Sequence, residues 1–189
     1  MKYDIILSGV GGQGVLSLAS VIATAAAKAG YKVRQSEVHG MAQRGGAVMA
    51  HMRISDGEIF SDLIGQGTAD MILSMEPLES LRYLSWLSPD GIVITSTNPV
   101  INIPNYPEES EIKSALDKLK TRRLVDDKTI AKEAGSVRAG NMVIVGAAAA
   151  DLPFGMDYLK AAVESMFSRK GDEIVQVNYK ALDLGSQIS

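Results

Sequence analysis

One short stretch concentrates the side chains of this 189-residue chain that are best suited to chemistry. It reads Ser36-Glu37-Val38-His39-Gly40-Met41-Ala42-Gln43-Arg44-Gly45-Gly46. Arg44 can bind a carboxylate or phosphate through two parallel hydrogen bonds, and His39 can donate a proton or serve as a neutral hydrogen-bond partner. We predict that His39, Gln43 and Arg44 support catalysis. Glu37, Gly45 and Gly46 are predicted to belong to a cofactor-binding surface, because glycines let a cofactor or another backbone come close.

A structural interpretation of this stretch is also open, in which an internal ion pair between Glu37 and Arg44 holds an ordinary surface loop. An exposed pair contributes at most about 1 kcal/mol, so it would stabilise such a loop only weakly. Polar groups on loops of this kind are more often functional, and the sequence favours function here. His51, which follows in a predicted strand, is interpreted instead as a structural histidine with its hydrogen bonds satisfied.

A second glycine-rich segment lies earlier in the chain. Gly9-Val10-Gly11-Gly12-Gln13-Gly14 fits the pattern G-x-G-x-x-G between a predicted strand and a predicted helix. Backbone N–H groups at a helix start, together with the helix dipole, favour anions. We therefore predict cofactor binding by Gly9, Gly11, Gly12, Gln13 and Gly14, with Glu37 in the place of a ribose-binding acid. The alternative is that these glycines only permit close packing of strand on helix, and docking.

Hydrophobic patterning predicts the elements that position the two segments. The apolar run Ile5 to Leu7 is typical of a strand that is covered on both faces. Val15 to Ala29 is a helix ended by Gly30, and Tyr31 to Val38 is a second strand. These elements predict a βαβ unit with a parallel sheet, which places both segments at the carboxyl edge, where ligands bind.

An antiparallel insertion is predicted next, because the strand Ala47 to Ile54 is followed by the turn Asp56-Gly57 and by Glu58 to Ser61. Asn98 to Pro107 is predicted as a loop or edge excursion. The remaining strands are predicted at Met71–Met75, Ile92–Thr95 and Leu124–Val125, and the remaining helices at Pro77–Leu87, Glu108–Lys120, Lys128–Ala134, Asn141–Ala150, Met156–Ser168 and Asp172–Leu184. The fold class is a three-layer α/β/α domain over residues 1–189, with a mainly parallel sheet and an antiparallel hairpin insertion.

Composition excludes several classes of protein. The formal net charge is −3, which argues against a general nucleic-acid binder. The chain has no cysteine, so it cannot form disulfides or hold Cys-ligated iron–sulfur clusters, and we predict no metal site. No apolar run approaches the roughly 20 residues that cross a bilayer, and the start of the chain does not resemble a signal peptide. We expect a cytoplasmic location and no membrane partner.

Both glycine-rich segments resemble a known family. Ser8 to Val15 and Ser36 to Gly46 are similar to the beta subunit of indolepyruvate ferredoxin oxidoreductase. More broadly they resemble the gamma domain of pyruvate and other 2-oxoacid:ferredoxin oxidoreductases. Arg138-Ala139-Gly140-Asn141-Met142-Val143, which opens an apolar helix, is also similar to that family. The resemblance runs through most of the chain in order.

The resemblance implies a role within a complex. Such complexes oxidatively decarboxylate a 2-oxoacid, join the acyl group to coenzyme A and pass electrons through iron–sulfur clusters to ferredoxin. It implies that thiamine diphosphate and [4Fe-4S] clusters lie on a large alpha subunit, while this chain binds no cofactor alone and forms one wall of the active site. Aryl pyruvates such as indolepyruvate are the implied substrates.

Two other interpretations remain open at this stage. The first βαβ unit is compatible with a free-standing nucleotide-binding protein or NAD(P)-dependent oxidoreductase, which a titration of the isolated chain with NADH would detect. The second interpretation is a non-catalytic assembly subunit, whose loops serve only for docking. Co-purification with a large thiamine-containing chain, followed by loop substitutions, distinguishes that role from a catalytic contribution.

Overall fold

The computed structural model describes residues 1–39 and 45–188, with the backbone alone at 38 and 39. Its strands are β1 (Lys2–Val10), β2 (Lys32–His39), β3 (Ala47–Ser55), β4 (Ala69–Ser74), β5 (Leu87–Ser96) and β6 (Arg122–Val125). Its α-helices are α1 (Val15–Lys28), α2 (Pro77–Arg82), α3 (Glu109–Asp117), α4 (Asp127–Ala134), α5 (Gly140–Ala148), α6 (Met156–Phe167) and α7 (Asp172–Gly185). Short 3₁₀ turns lie at Leu84–Trp86, Val137–Ala139 and Ser168–Lys170. No helix in these described ranges is long and apolar enough to span a bilayer.

The six strands form one sheet in the order β2-β3-β1-β4-β5-β6. β3 pairs antiparallel with both β1 and β2, whereas β1, β4, β5 and β6 pair parallel in turn. Five strands therefore share one direction, and the predicted α/β class with a mainly parallel sheet is confirmed. The expectation that β1 and β2 are direct neighbours in a simple βαβ unit is wrong, because β3 lies between them.

The antiparallel hairpin is present, but its strands are β2 and β3. The prediction that Glu58–Ser61 forms the second strand is wrong, because that segment is not part of the sheet. β3 is buried along nearly its whole length, so it requires a strand on each side. The turn at Asp56 redirects the chain instead: its carboxylate accepts hydrogen bonds from the amino terminus at 2.6 Å.

Apolar residues cover both faces of the sheet. The larger core contains Ile5 and Leu7 of β1 and packs against α1 and α5, with α6 and α7 outside them. Ile6 points to the opposite face, where a smaller core packs against the segment 83–87 after α2. Alternate residues of β1 thus contribute to different cores, as the period of a strand requires. This arrangement confirms the three-layer architecture.

Helix α5 lies between the sheet and α7, and every one of its residues except Asn141 is buried. A β-carbon at Gly146 would lie 2.2 Å from the carbonyl oxygen of Leu182 in α7. In the same way, a β-carbon at Gly185 would lie 2.2 Å from the carbonyl oxygen of Val143. The two helices therefore cross with their backbones in contact, which only glycine permits at these two positions.

Candidate functional site at the carboxyl edge of the sheet

The two glycine-rich segments meet at the carboxyl edge. The backbone N–H of Gly11 donates to the carbonyl of Gly46 at 2.8 Å, and the N–H of Gly45 donates to the carbonyl of Gly11 at 3.3 Å. The register explains this contact, because Val10 pairs with Ala47 and His39 pairs with Val48. The sequence predicted that both segments lie at one edge of the sheet. In the structure their backbones are joined there by direct hydrogen bonds.

Gln13 closes the crevice between β1 and β4. Its Oε1 accepts from the N–H of Val10 at 2.7 Å, and its Nε2 donates to the carbonyl of Met75 at 2.8 Å. Strand order reverses between β1 and β4, and ligands of open α/β sheets commonly bind at such a point. The side-chain amide that a ligand would need there is already bonded within the protein. The structure therefore gives Gln13 a positioning role in the loop.

The glycines of the first loop differ in their surroundings. A β-carbon at Gly9 would lie 2.8 Å from Val15 Cγ2, so this glycine is required for close packing. Gly12 has φ +102° and no atom within 4 Å of that position. Gly14 has φ +83° and precedes α1 without a side-chain cap, facing the amide of Asn141. Gly12 thus leaves open space beside the start of α1, whereas Gly14 packs closely against Asn141.

That open space continues into a cleft of about 910 Å³ between the first glycine loop and the starts of α5 and α7. Its wall includes basic side chains, which are Lys128, Arg138 and Lys170, together with Ser17 and Asn141. Asp127 and Glu173 also line it. The segment Arg138–Asn141, which the sequence singled out by resemblance alone, thus faces Gly12 and Gly14 across one cleft.

Sequence reasoning missed a second group of polar residues at the carboxyl ends of β4, β5 and β6. Glu76 is 1% exposed, and its Oε2 accepts from the N–H of Glu79 at 2.8 Å to cap α2. Asp127 is 6% exposed and accepts hydrogen bonds from the Ser96 hydroxyl and, at 2.9 Å, from Asn98 Nδ2. The signal was available, since a serine or glutamate directly after a buried apolar strand is a candidate site residue at the carboxyl edge.

The segment 98–107, which we name the strap, crosses this edge. Asn98 bonds Asp127 at one end, and the N–H of Val100 donates to Glu76 Oε1 at 3.2 Å. The Tyr106 hydroxyl donates to the same Glu76 oxygen. Burial, and then this bond to the Glu76 carboxylate, raise the pKa of Tyr106 far above its usual range. The excursion predicted without a role is therefore anchored to two buried carboxylates.

The predicted catalytic residues fall largely outside the described residues. Gln43 and Arg44 lie in the range 40–44, and only the backbone of His39 is described.

Glu37 is exposed in β2 and accepts a hydrogen bond from Gln35 Nε2. Because β3 separates β2 from β1, Glu37 stands two strand spacings, about 9.5 Å, from the β1 axis. A dinucleotide fold keeps this acid on the strand next to the first one, whereas here β3 lies between the two strands. Ribose binding by Glu37 stays a prediction.

His51 lies on β3 beneath the smaller core, 6% exposed, with its ring edge-on to Trp86. Its Nδ1 accepts a hydrogen bond from the backbone N–H of Ile64 at 3.2 Å. Burial and the nearby Arg53 lower its pKa, and Asp4 only partly opposes them. The structural interpretation of this histidine agrees with these contacts.

The lowered pKa of His51 predicts a loss of stability on acidification. In the folded protein the ring stays neutral below its ordinary pKa of 6.5, whereas the unfolded chain takes up the proton there. Unfolding therefore becomes easier as the pH falls below 6.5 towards the folded pKa, and the contribution is absent above 6.5. Urea titrations at several pH values will show this slope, and His51→Gln, which retains an acceptor, will show less of it. Equal slopes for both proteins would contradict the assignment.

Among the described residues, no three His, Asp or Glu side chains are placed to hold a metal ion. Iron–sulfur clusters also do not fit this chain, since it has no cysteine to bind them. What the edge does offer is backbone N–H groups beside Gly12 and Gly14, a cleft with basic side chains and the strap.

Solved structures define the class of protein. The gamma subunit of keto/oxoacid ferredoxin oxidoreductase from Geobacter sulfurreducens superposes with a TM-score of 0.71 and 26% sequence identity. The match covers 98% of this chain and 96% of that one, so the fold agrees over the full length. The pyruvate oxidoreductase subunit PORC from Thermotoga maritima shares the same fold with a TM-score of 0.76, covering 99% of this chain and 96% of that subunit at 23% identity.

The chain belongs to the pyruvate ferredoxin/flavodoxin oxidoreductase family, whose family model matches residues 4–188. It is 40% identical to indolepyruvate oxidoreductase subunit IorB of Archaeoglobus fulgidus over 98% of this chain and 94% of that protein. With subunit IorB of Pyrococcus horikoshii the identity is 38%, over 97% and 94%. The resemblance found in the two glycine-rich segments is confirmed, and the chain is a small subunit of a 2-oxoacid:ferredoxin oxidoreductase.

Proposed function

We propose that this chain is the small subunit of an indolepyruvate-type oxidoreductase, which oxidatively decarboxylates an aryl pyruvate to an acyl-coenzyme A and reduces ferredoxin. The identity to two IorB subunits over nearly the full length of both partners supports this proposal most directly. The chain acts only when it is joined to a large alpha subunit. We place thiamine diphosphate and the iron–sulfur clusters on that subunit, together with the carbanion chemistry that thiamine supplies.

The residues of this chain determine which part of the reaction it can support. Without cysteine it cannot ligate the clusters that carry electrons to ferredoxin. Its carboxyl edge instead offers preorganised donors, and donors fixed before reaction stabilise charge that develops in a transition state. We assign Arg44 and His39 to that supporting role, on the loop that Gly45 and Gly46 join to the first glycine loop.

The docking surface is the same carboxyl edge. Four large apolar side chains are exposed around the cleft and the strap, namely Leu16 (41%), Ile101 (74%), Val137 (65%) and Ile174 (40%). Leu16 and Ile174 lie in the first turns of α1 and α7, and Val137 lines the cleft. Exposed apolar side chains that gather on one surface are a feature of protein–protein interaction sites.

We expect Ile101→Asp combined with Val137→Asp to weaken binding of the large subunit at least 100-fold. Each substitution would place an unpaired charge in the contact, and the cost of burying such a charge exceeds that of losing the apolar side chain. Biolayer interferometry with the immobilised large subunit measures the change. Circular dichroism of the isolated variant confirms that the fold is retained, since both sites are exposed.

The matched control uses the opposite edge of the sheet, where Phe60 (92%) and Leu63 (57%) are also exposed. Phe60→Asp with Leu63→Asp should leave the affinity within about threefold of the original. If this pair abolishes binding while the carboxyl-edge pair does not, the docking surface is at the wrong edge and the proposal fails. NADH binding by the isolated chain at micromolar concentration would favour a free-standing dinucleotide protein instead.

A further inference from the structure

We infer that Tyr106 is a positioning residue, whose hydroxyl holds the strap in the conformation that presents Ile101 to the large subunit. Ile101 is 74% exposed and lies in sequence between the two strap residues that bond Glu76. The large subunit should meet it with an apolar pocket, because an aliphatic side chain gains free energy where apolar surface is removed from water. The inference rests on the proposed docking surface for its partner, but the contacts that hold the strap lie within this chain.

Packing does not hold the strap in place. None of its ten residues, all of which the structure describes, is buried, and the strap belongs to neither apolar core. Prolines at positions 99, 104 and 107 limit the conformations that the segment can adopt. Because the strap buries so little apolar surface, its hydrogen bonds to the rest of the chain decide where Ile101 is presented.

Glu76 is a fixed acceptor for the strap. The Ser74 hydroxyl donates to the carbonyl of Glu76 at 2.7 Å and accepts from its N–H at 3.2 Å, so the backbone is held just after β4. The Glu76 side chain is 1% exposed, and its Oε2 accepts from the N–H of Glu79 at 2.8 Å. The other oxygen, Oε1, accepts from the N–H of Val100 and from the Tyr106 hydroxyl. Hydrogen bonds to a carboxylate are stronger than those between neutral groups.

The burial of Glu76 is explained by the strap more than by the core. A buried carboxylate is costly unless its hydrogen bonds are satisfied. Among the described residues, two of the three donors to this side chain come from the strap, and the third belongs to α2. These bonds order a segment that adds nothing to either core. A segment that is ordered beforehand loses less conformational entropy on binding, so it binds with higher affinity than a flexible one.

The first test is amide hydrogen exchange, followed by NMR, of the full-length chain with Tyr106→Phe. This variant keeps the ring and removes only the hydroxyl, so the strap loses one of its two bonds to Glu76. Exchange of the Val100 amide should become about fivefold to tenfold faster. Tyr179→Phe is the matched control, since the Tyr179 hydroxyl also donates to a glutamate, Glu164 of α6, at 2.8 Å. Exchange at Val100 should be unchanged in that variant.

The second test is a double-mutant cycle with Ile101→Ala, in which interferometry measures the affinity for the large subunit. Tyr106→Phe should weaken binding about fivefold in the otherwise unmodified chain. On the Ile101→Ala background it should weaken binding less than about twofold, because the strap then has no large side chain to present. Tyr179→Phe should leave the affinity unchanged on both backgrounds.

The two tests separate this inference from the proposed function. Unchanged exchange at Val100 in Tyr106→Phe overturns the inference, and so does unchanged affinity. An equal loss of affinity on both backgrounds also overturns it, because Tyr106 would then act through a group other than Ile101. Failure of the unmodified complex to turn over an aryl pyruvate counts against the proposed function alone, since neither the exchange nor the affinity depends on the substrate.

Discussion

Replacing Gly146 by alanine should lower the free energy of unfolding by about 2–4 kcal/mol, a large change for a single methyl group. The new β-carbon would lie 2.2 Å from the Leu182 carbonyl oxygen and 2.9 Å from its carbonyl carbon. Backbone atoms cannot rotate away, so α5 and α7 must move apart and lose contacts along their length. Alanine's higher helix propensity offsets only about 1 kcal/mol of this. Urea unfolding monitored by circular dichroism measures the difference.

The matched control for this prediction is Gly57→Ala, because the nearest atom to its β-carbon is 3.7 Å away. It should change stability by less than about 0.5 kcal/mol. Gly185→Ala forces apart the same two helices, α5 and α7, from the other side. The double substitution should therefore lower the free energy of unfolding by clearly less than the sum of the two single substitutions. Additive effects, or a stable Gly146→Ala protein, would show that the helices are not in backbone contact.

Replacing Arg44 by alanine should lower turnover of the reconstituted complex about 100-fold, with little change in the affinity of the subunits. That magnitude is typical for removing one preorganised group that stabilises developing charge. The prediction follows from the proposed role of this loop in the reaction. Steady-state rates with an aryl pyruvate, coenzyme A and ferredoxin measure turnover, and interferometry measures assembly.

Arg34→Ala is the control for charge alone, because Arg34 is a 58% exposed arginine on β2 that pairs weakly with Asp62 at 3.5 Å. Its turnover should match that of the unmodified complex. His39→Ala is also expected to lower turnover of the reconstituted complex. If both loop variants assemble and turn over normally, neither residue takes part in the reaction. If they assemble poorly but react normally once bound, the loop serves only for docking.

Local sequence patterns were sufficient to predict most of the helices and strands. The apolar run Ile5–Leu7 and the Ala-rich stretch Val15–Ala29 lie where β1 and α1 form, because periodicity and propensity are properties of neighbouring residues. The partners of β3 were not predictable in this way. The turn signal Asp56-Gly57 is genuine, but it ends a strand and does not begin a hairpin. Val48, Met49 and Ala50 in succession indicate a strand covered on both faces, which belongs inside a sheet.

In the candidate site, too, local patterns predicted continuous segments but not the contacts between remote residues. The two glycine-rich segments were recognisable because each is continuous in sequence, and the sheet direction placed them together. The bonds of Gln13 to Met75 and of Asn102 to Gly45 join residues that are remote in the chain, so no local pattern indicates them. Glu76 and Asp127 follow the strands β4 and β6, which is a local signal of the carboxyl edge, but their bonds to Val100 and Asn98 join residues that are remote in the chain. Only the crossing of the strap over the edge gives these residues their roles.

The place of β3 between β1 and β2 has a consequence for the order in which the chain folds. Residues 1–39 contain two strands and a helix, but these two strands form no hydrogen bonds with each other. During synthesis this portion has no completed sheet until the segment ending at Ser55 has left the ribosome and inserted between them. A fragment ending at His39 would keep unpaired strand edges and should aggregate, whereas one that includes β3 can close that half of the sheet.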